Sequence, residues 1–258
     1  MSFGLRGLGL AFGTVLVAGC AIGKSESFTF TTDMPPDFTY GALAQYVPAK
    51  GETCTVEKPN VGYNQRWRLG DREQYKRDLQ IPLYRTVNGC RLVIYRLELR
   101  LYRNYGAKYG DFSAHSAAVA IRERFQENIQ GTFDSSGVSV FTGECEVMFR
   151  TMGKPRVLRQ LLNCRPVDAQ GVVGKGRPIG PYILDQLPGK TVKLKIKLAA
   201  EERPGWRDTW VKVPGGWKRC LGEGYEDPHA YCNGNYKDFS SFLMPDGRRC
   251  TIYPGCTE

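Results

Sequence analysis

Two histidines in 258 residues leave this chain poor in the side chain that most often serves as a base near neutral pH or as a metal ligand. Nowhere are two cysteines spaced C-x-x-C, the short pairing that structural zinc sites use. A zinc module is therefore not expected. The nucleophile elbow G-x-S-x-G, the zinc-protease motif H-E-x-x-H and the P-loop are also missing. With them go the commonest linear signatures of hydrolases and nucleotide-binding enzymes. There is no internal repeat and no low-complexity block. Nor is there an apolar run of about 20 residues, the length a membrane-crossing helix needs. Acidic residues are outnumbered, with 26 Asp and Glu against 36 Lys and Arg, for a formal net charge of +10. These observations single out no catalytic residue, cofactor or metal, and the chain reads as a non-enzyme.

What is present starts at the N-terminus. Arg6 is the first charge, and an uncharged run from Gly7 to Ile22 follows it and closes on small residues. That is the layout of a secretory signal. The run contains Leu16-Val17-Ala18-Gly19-Cys20, which resembles the lipobox of bacterial lipoproteins, with Val17 where Leu is commoner. The resemblance implies that residues 1–19 are removed. It implies that the Cys20 thiol takes a diacylglycerol and its new amino group an acyl chain such as palmitate. Each buried methylene contributes about 0.8 kcal/mol, so several chains make a lasting anchor. Ala21 stands where Asp would mark retention in the inner membrane, which implies an anchor in the outer membrane, on its periplasmic face.

Nine cysteines are an odd count. Assigning Cys20 to lipid leaves Cys54, Cys90, Cys145, Cys164, Cys220, Cys232, Cys250 and Cys256, an even set that suits four disulfides in an oxidising compartment. Eight cysteines allow 105 connectivities. Pairing in chain order is the expectation, and Cys145–Cys164 has local support because both lie in one expected hairpin.

Removing nineteen residues from 258 leaves 239, and loss of Arg6 takes the charge from +10 to +9. Residues 20–38, polar and holding Pro35-Pro36, read as a lipidated tether. Residues 39–200 read as a β-rich domain. Thr191 to Leu198 alternates Val192, Leu194, Ile196 and Leu198 with Thr191 and three lysines, a period of two that marks a strand with one buried face. Leu92 to Tyr102 places Val93, Tyr95, Leu97, Leu99 and Leu101 on one side. Val138 to Arg150 and Arg156 to Cys164 are expected strands joined at Met152-Gly153-Lys154-Pro155. Thr209 to Val213 and Trp217 to Cys220 are expected to pair around Pro214-Gly215-Gly216. Ser113 to Asn128, rich in alanine, is expected to be a helix. Residues 201–258 lose this periodicity and gain four cysteines and three tryptophans, so they read as a disulfide-pinned lobe packed on the sheet. The fold class is mainly β with minor α, an antiparallel sheet domain carrying that lobe.

Candidate chemistry concentrates in the lobe. Trp206, Trp210, Trp217, Lys218 and Arg219 are the candidate partner-binding residues, because aromatics mixed with arginine are what protein hot spots use. The alternative is that the rings fill a small core. His115 and His229 are expected in ordinary surface or hydrogen-bonding roles. Glu201-Glu202 and Glu226-Asp227 read as solvated loop charges, and Gly174-Lys175-Gly176-Arg177 as a mobile basic loop. Nucleic acid is not an expected partner outside the cytoplasm. The cationic excess suits anionic lipid, lipopolysaccharide phosphate or an acidic protein.

Gly110-Asp111-Phe112, Gly189-Lys190-Thr191 and the ending Asp246-Gly247-Arg248-Arg249-Cys250 to Cys256-Thr257-Glu258 resemble cysteine-rich lipoproteins of Gram-negative bacteria. Some of these are similar to immunity lipoproteins that protect against type VI secretion lipase effectors. The resemblance implies a tethered protein that binds and inhibits a secreted lipase. An envelope structural or anionic-lipid-binding lipoprotein is the alternative.

Overall fold

The computed structural model describes residues 26–63, 78–125 and 129–257. The signal, Cys20 and the first part of the expected tether lie outside the described residues. The described residues form three sheets. The largest runs in the order β17 (Arg249–Cys250), β16 (Phe242–Leu243), β9 (Val157–Val167), β8 (Val138–Met152), β11 (Thr191–Leu198), β1 (Ser27–Asp33) and β4 (Leu79–Pro82), with β12 (Arg203–Pro204) also on β8. The second runs β10 (Ile179–Ile183), β7 (Phe112–Arg122), β6 (Cys90–Asn104), β2 (Phe38–Pro48) and β3 (Val61–Tyr63), with β5 (Tyr84–Val87) on β6. The third joins β13 (Trp210–Val213), β14 (Gly216–Cys220) and β15 (Phe239–Ser240), with β18 (Tyr253–Pro254) on β14.

The mainly β expectation holds, but the sheets are mixed rather than antiparallel. Strand β11 runs parallel to both β1 and β8, and β10 runs parallel to β7. The expected helix at 113–128 is replaced by β7 through Arg122, and 126–128 lie outside the described residues. Alanine favours helix only weakly. Here Ala117, Val119 and Ile121 enter the core, while Ala118 and Ala120 are buried on the opposite face. A strand paired on both edges and covered on both faces overrides the local preference.

The tether reading also needs correction from Glu26 onward. In β1 Phe28 and Phe30 alternate with Ser and Thr, are fully buried, and lie between β11 and β4. In β6 the buried residues are Cys90, Leu92 and Ile94 and then Leu97, Leu99 and Leu101. The register against β2 steps from Gln45↔Arg96 to Tyr46↔Ile94, so Tyr95 is a bulge. One extra residue switches the faces of the strand, and Val93 and Tyr95 leave the core side to which simple alternation assigns them.

Both large sheets contribute to one core, which includes Phe28, Tyr40, Tyr46, Ile81, Leu99, Val147 and Leu194. The hairpin β8–β9 runs past it. Cys145 and Cys164, opposite one another in its register, belong to that core, whereas Phe149 and Leu158 further along belong to a second. Trp210, Phe242, Tyr253, Cys250 and Cys256 complete the second core. The tail of the chain thus covers the overhanging end of a hairpin. Strands β12 and β16 add to the large sheet while β13, β14, β15 and β18 form the small one. All four disulfides follow chain order: Cys54–Cys90, Cys145–Cys164, Cys220–Cys232 and Cys250–Cys256.

Candidate binding cleft

At the far end of β8 alternation sends Phe149 and Thr151 inward and leaves Arg150 and Met152 more accessible. Strand β12 follows the same edge of β8, and the chain then turns through Trp206 into β13. A cleft of about 240 Å³ opens between this turn, the end of β8 and the segment 228–231. Trp206 is 52 % exposed at its rim, with Met152 and Tyr231 beside it as further exposed apolar groups. The Arg150 guanidinium sits 5.9 Å from the centre of the Trp206 ring, and His229 stacks on Tyr231 at 5.9 Å.

The walls are held by buried arginines. Arg219, 3 % exposed, donates to the Thr151 hydroxyl at 2.9 Å and to the carbonyls of Thr209, Ala230 and His229 at 2.6, 2.7 and 2.6 Å. Arg156, at the β8–β9 turn, donates to the carbonyls of Cys220, Leu221 and Gly224 at 3.1, 2.8 and 2.7 Å and to the Ser240 hydroxyl. Burial, and then the neighbouring Arg156, lower the Arg219 pKa to about 10, so it remains a cation at neutral pH. Burial lowers that of Arg156 as well. The charge of Asp227 acts on both arginines, but backbone N–H groups hold its carboxylate below the usual range, Ala230 first and then Glu223 and His229.

A second tie is Asp208, whose φ of 56° places it in the left-handed turn that short polar side chains tolerate. Its carbonyl accepts the Cys232 N–H at 2.7 Å, and its carboxylate accepts the Asn233 N–H at 3.1 Å and the Tyr236 hydroxyl at 3.3 Å. The Cys220–Cys232 disulfide closes the same loop covalently.

Of the residues expected to bind a partner, the structure offers Trp206 most openly. Trp210, 6 % exposed, packs edge-on against Phe149 at 5.0 Å and Phe242 at 5.1 Å. It belongs to the second core and shows the cleft only its floor. Arg219 is likewise floor rather than free anchor. Trp217 packs against the second core, with Lys212 Nζ 5.7 Å from its ring, and Lys218 Nζ lies 5.4 Å from the Phe239 ring. Neither Trp217 nor Lys218 lines the cleft. Sequence reasoning missed Arg150, Met152 and Asp208. Outward alternation at the end of β8 is a signal for the first two, but nothing local distinguishes them from other outward residues.

The remaining candidates lie outside the cleft. The Arg177 guanidinium reaches Glu98 at 2.6 Å and Ser116 at 3.1 Å, which straps the 174–177 loop to β6 and β7. Glu202 accepts the Tyr253 hydroxyl, and Glu226 meets Lys154 at 2.5 Å. His115 lies on β7 with its Nδ1 buried and without a protein partner, and burial, opposed by a backbone hydrogen bond at Ser116 and aided by Arg177, lowers its pKa. Among the described residues Glu52, Cys54 and Cys90 cluster closely enough to suggest a metal, but the two sulfurs form a disulfide and offer no thiolate. No helix of the described residues is long and apolar enough to cross a membrane. Comparison with protein-family models, curated proteins and solved structures finds no match to this chain.

Proposed function

We propose that this chain is an envelope lipoprotein, anchored through Cys20 in the outer membrane and facing the periplasm, that binds and inhibits a protein partner. The partner class we propose is a phospholipase delivered by type VI secretion, which makes the chain an immunity protein. The observation that carries the binding reading is the cleft itself. Exposed Trp206, paired with Arg150 and flanked by Met152 and Tyr231, forms the kind of aromatic-arginine surface that anchors protein interfaces. Its walls are pre-ordered by a disulfide and two buried arginines, which reduces the entropy lost on association. A lipid anchor would add to this by raising the inhibitor's local concentration at the surface under attack.

The test mixes the purified mature protein with the product of the adjacent gene, where the phospholipase is expected to be encoded. An equimolar complex and loss of lipase activity are expected. In cells, wild type is expected to incorporate labelled fatty acid and Cys20→Ser is not; equal labelling removes the anchor from the proposal. The net charge of +10 favours a second reading, a lipoprotein of the envelope that binds anionic headgroups. No complex and undiminished lipase activity, together with salt-sensitive binding to anionic vesicles, would select that reading.

A further inference from the structure

Charge and shape at the cleft narrow what can occupy it. Arg219 forms part of its floor, Arg156 lies close enough behind to depress the Arg219 pKa, and Arg150 stands at the rim. No Asp or Glu lines the cleft among the described residues. Asp227, the acid whose charge acts on the buried pair, is turned to the backbone N–H groups of Glu223 and His229 at 3.3 and 2.9 Å. Three guanidinium groups against one engaged carboxylate leave the site cationic, and partial burial keeps solvent from screening that field fully.

The donors differ in what they have left. A guanidinium carries five N–H groups. Those of Arg219 are largely committed to Thr151, Thr209, Ala230 and His229. The floor therefore supplies a field more than fresh hydrogen bonds. Among the described residues no carboxylate pairs with Arg150, whose other contacts are the Trp206 ring and the Met152 sulfur at 3.7 Å. Such a guanidinium suits the two oxygens of a carboxylate. A phosphate dianion, with a third oxygen and more charge, would need more free donors than this floor retains. The exposed faces of Met152, Trp206 and Tyr231 would in turn cover an apolar neighbour of the anion. A volume of about 240 Å³ equals roughly eight water molecules at about 30 Å³ each, space for one or two side chains.

We infer that the cleft receives an acidic side chain flanked by an apolar one, presented on a loop of a protein partner and held by Arg150 and Trp206. The inference rests on the reading of the cleft as a protein-binding site, and it specifies the chemistry that site selects.

The experiment uses 15N-labelled mature protein, with the Trp206 indole signal assigned through Trp206→Phe. The probes are the peptide acetyl-Gly-Asp-Leu-Gly-amide and its Asn counterpart. The Asp peptide is expected to shift the Trp206 signal saturably, and the Asn peptide to bind at least tenfold more weakly. Arg150→Gln should abolish that preference with melting unchanged. Equal affinity for the two peptides, or no shift with the Asp peptide, overturns the inference. So does tighter binding of inorganic phosphate or phosphatidylglycerol vesicles at Trp206, which would assign the site to phosphate or to lipid. A lipase that fails to bind while the peptide preference holds removes the proposed enzyme partner and leaves the inference standing. A lipase complex that Arg150→Gln does not weaken removes the inference and leaves the inhibitor.

Discussion

Trp206 and Trp210 stand four residues apart in the chain and in opposite environments. The first is 52 % exposed beside Arg150 and the second 6 % exposed among Phe149, Phe242 and Tyr253. Trp210→Ala is expected to cost about 3–5 kcal/mol of stability, because a large ring leaves a cavity that its neighbours fill only in part. Trp206→Ala should leave melting nearly unchanged and weaken partner binding by about 2 kcal/mol or more. Melting and binding measured together decide it: a large loss of stability in Trp206→Ala would place that ring in the core instead. His115 gives a pH signature. Its pKa is lowered from 6.5. Above that value the imidazole is neutral in both folded and unfolded chains and contributes no pH dependence. As the pH falls below it the unfolded chain takes up the proton and the folded chain resists, so stability declines. His115→Gln should flatten the decline that sets in as the pH falls through 6.5 in urea titrations. An unchanged decline would trace the effect to another group.

The long hairpin β8–β9 and the loop 221–232 are the elements that make the cleft. At fifteen residues β8 reaches beyond the first core, and the overhang is stable because Trp210, Phe242 and Tyr253 of the tail cover its inward Phe149 and the facing Leu158. Arg219 couples the loop to that overhang through one hydroxyl and three carbonyls. Arg219→Met would leave the carbonyls of Thr209, Ala230 and His229 without this donor, at about 1–3 kcal/mol for each one that stays buried and unpaired. A loss of about 3 kcal/mol or more is expected, with faster proteolytic nicking in the loop. Arg219→Lys should not rescue it, since an ammonium cannot span the same fork of acceptors. Wild-type melting in Arg219→Met would show that Cys220–Cys232, Asp208 and Arg156 hold the loop without it.

At the scale of the molecule, all four disulfides join successive cysteines among the described residues. Cys54–Cys90 spans 36 positions of the chain and Cys145–Cys164 spans 19. A disulfide closing a loop of about 15 residues contributes roughly 3 kcal/mol in the chain-entropy account. A soluble form beginning after Cys20, folded in the periplasm and denatured without reductant, is expected to show no alkylatable thiol. Reduction should move its denaturation midpoint sharply downward. Two or more free cysteines in folded protein would overturn the four-bridge structure.

What the amino-acid order determined by itself is local. The alternation in Thr191–Leu198 marks β11, the turn residues at 152–155 and 214–216 mark two hairpins, and the first of these hairpins marks one disulfide, Cys145–Cys164. Each is legible because neighbours in sequence supply the physics: a period of two, a turn that accepts positive φ, a short loop to close. Tertiary structure decided what depends on distant partners. Ala117 to Ile121 became strand because β6 and β10 pair with both its edges, and Phe28 and Phe30 became core because β11 and β4 enclose β1. The bulge at Tyr95 is likewise set by the register of β2. The lobe's composition flagged its aromatics, but exposure separates Trp206 from Trp210, and exposure is a property of what packs against a ring. Arg150 joins Trp206 across 56 positions of sequence because β12 extends the edge of β8; no local pattern encodes that meeting, since only the folded sheet brings the two chains side by side.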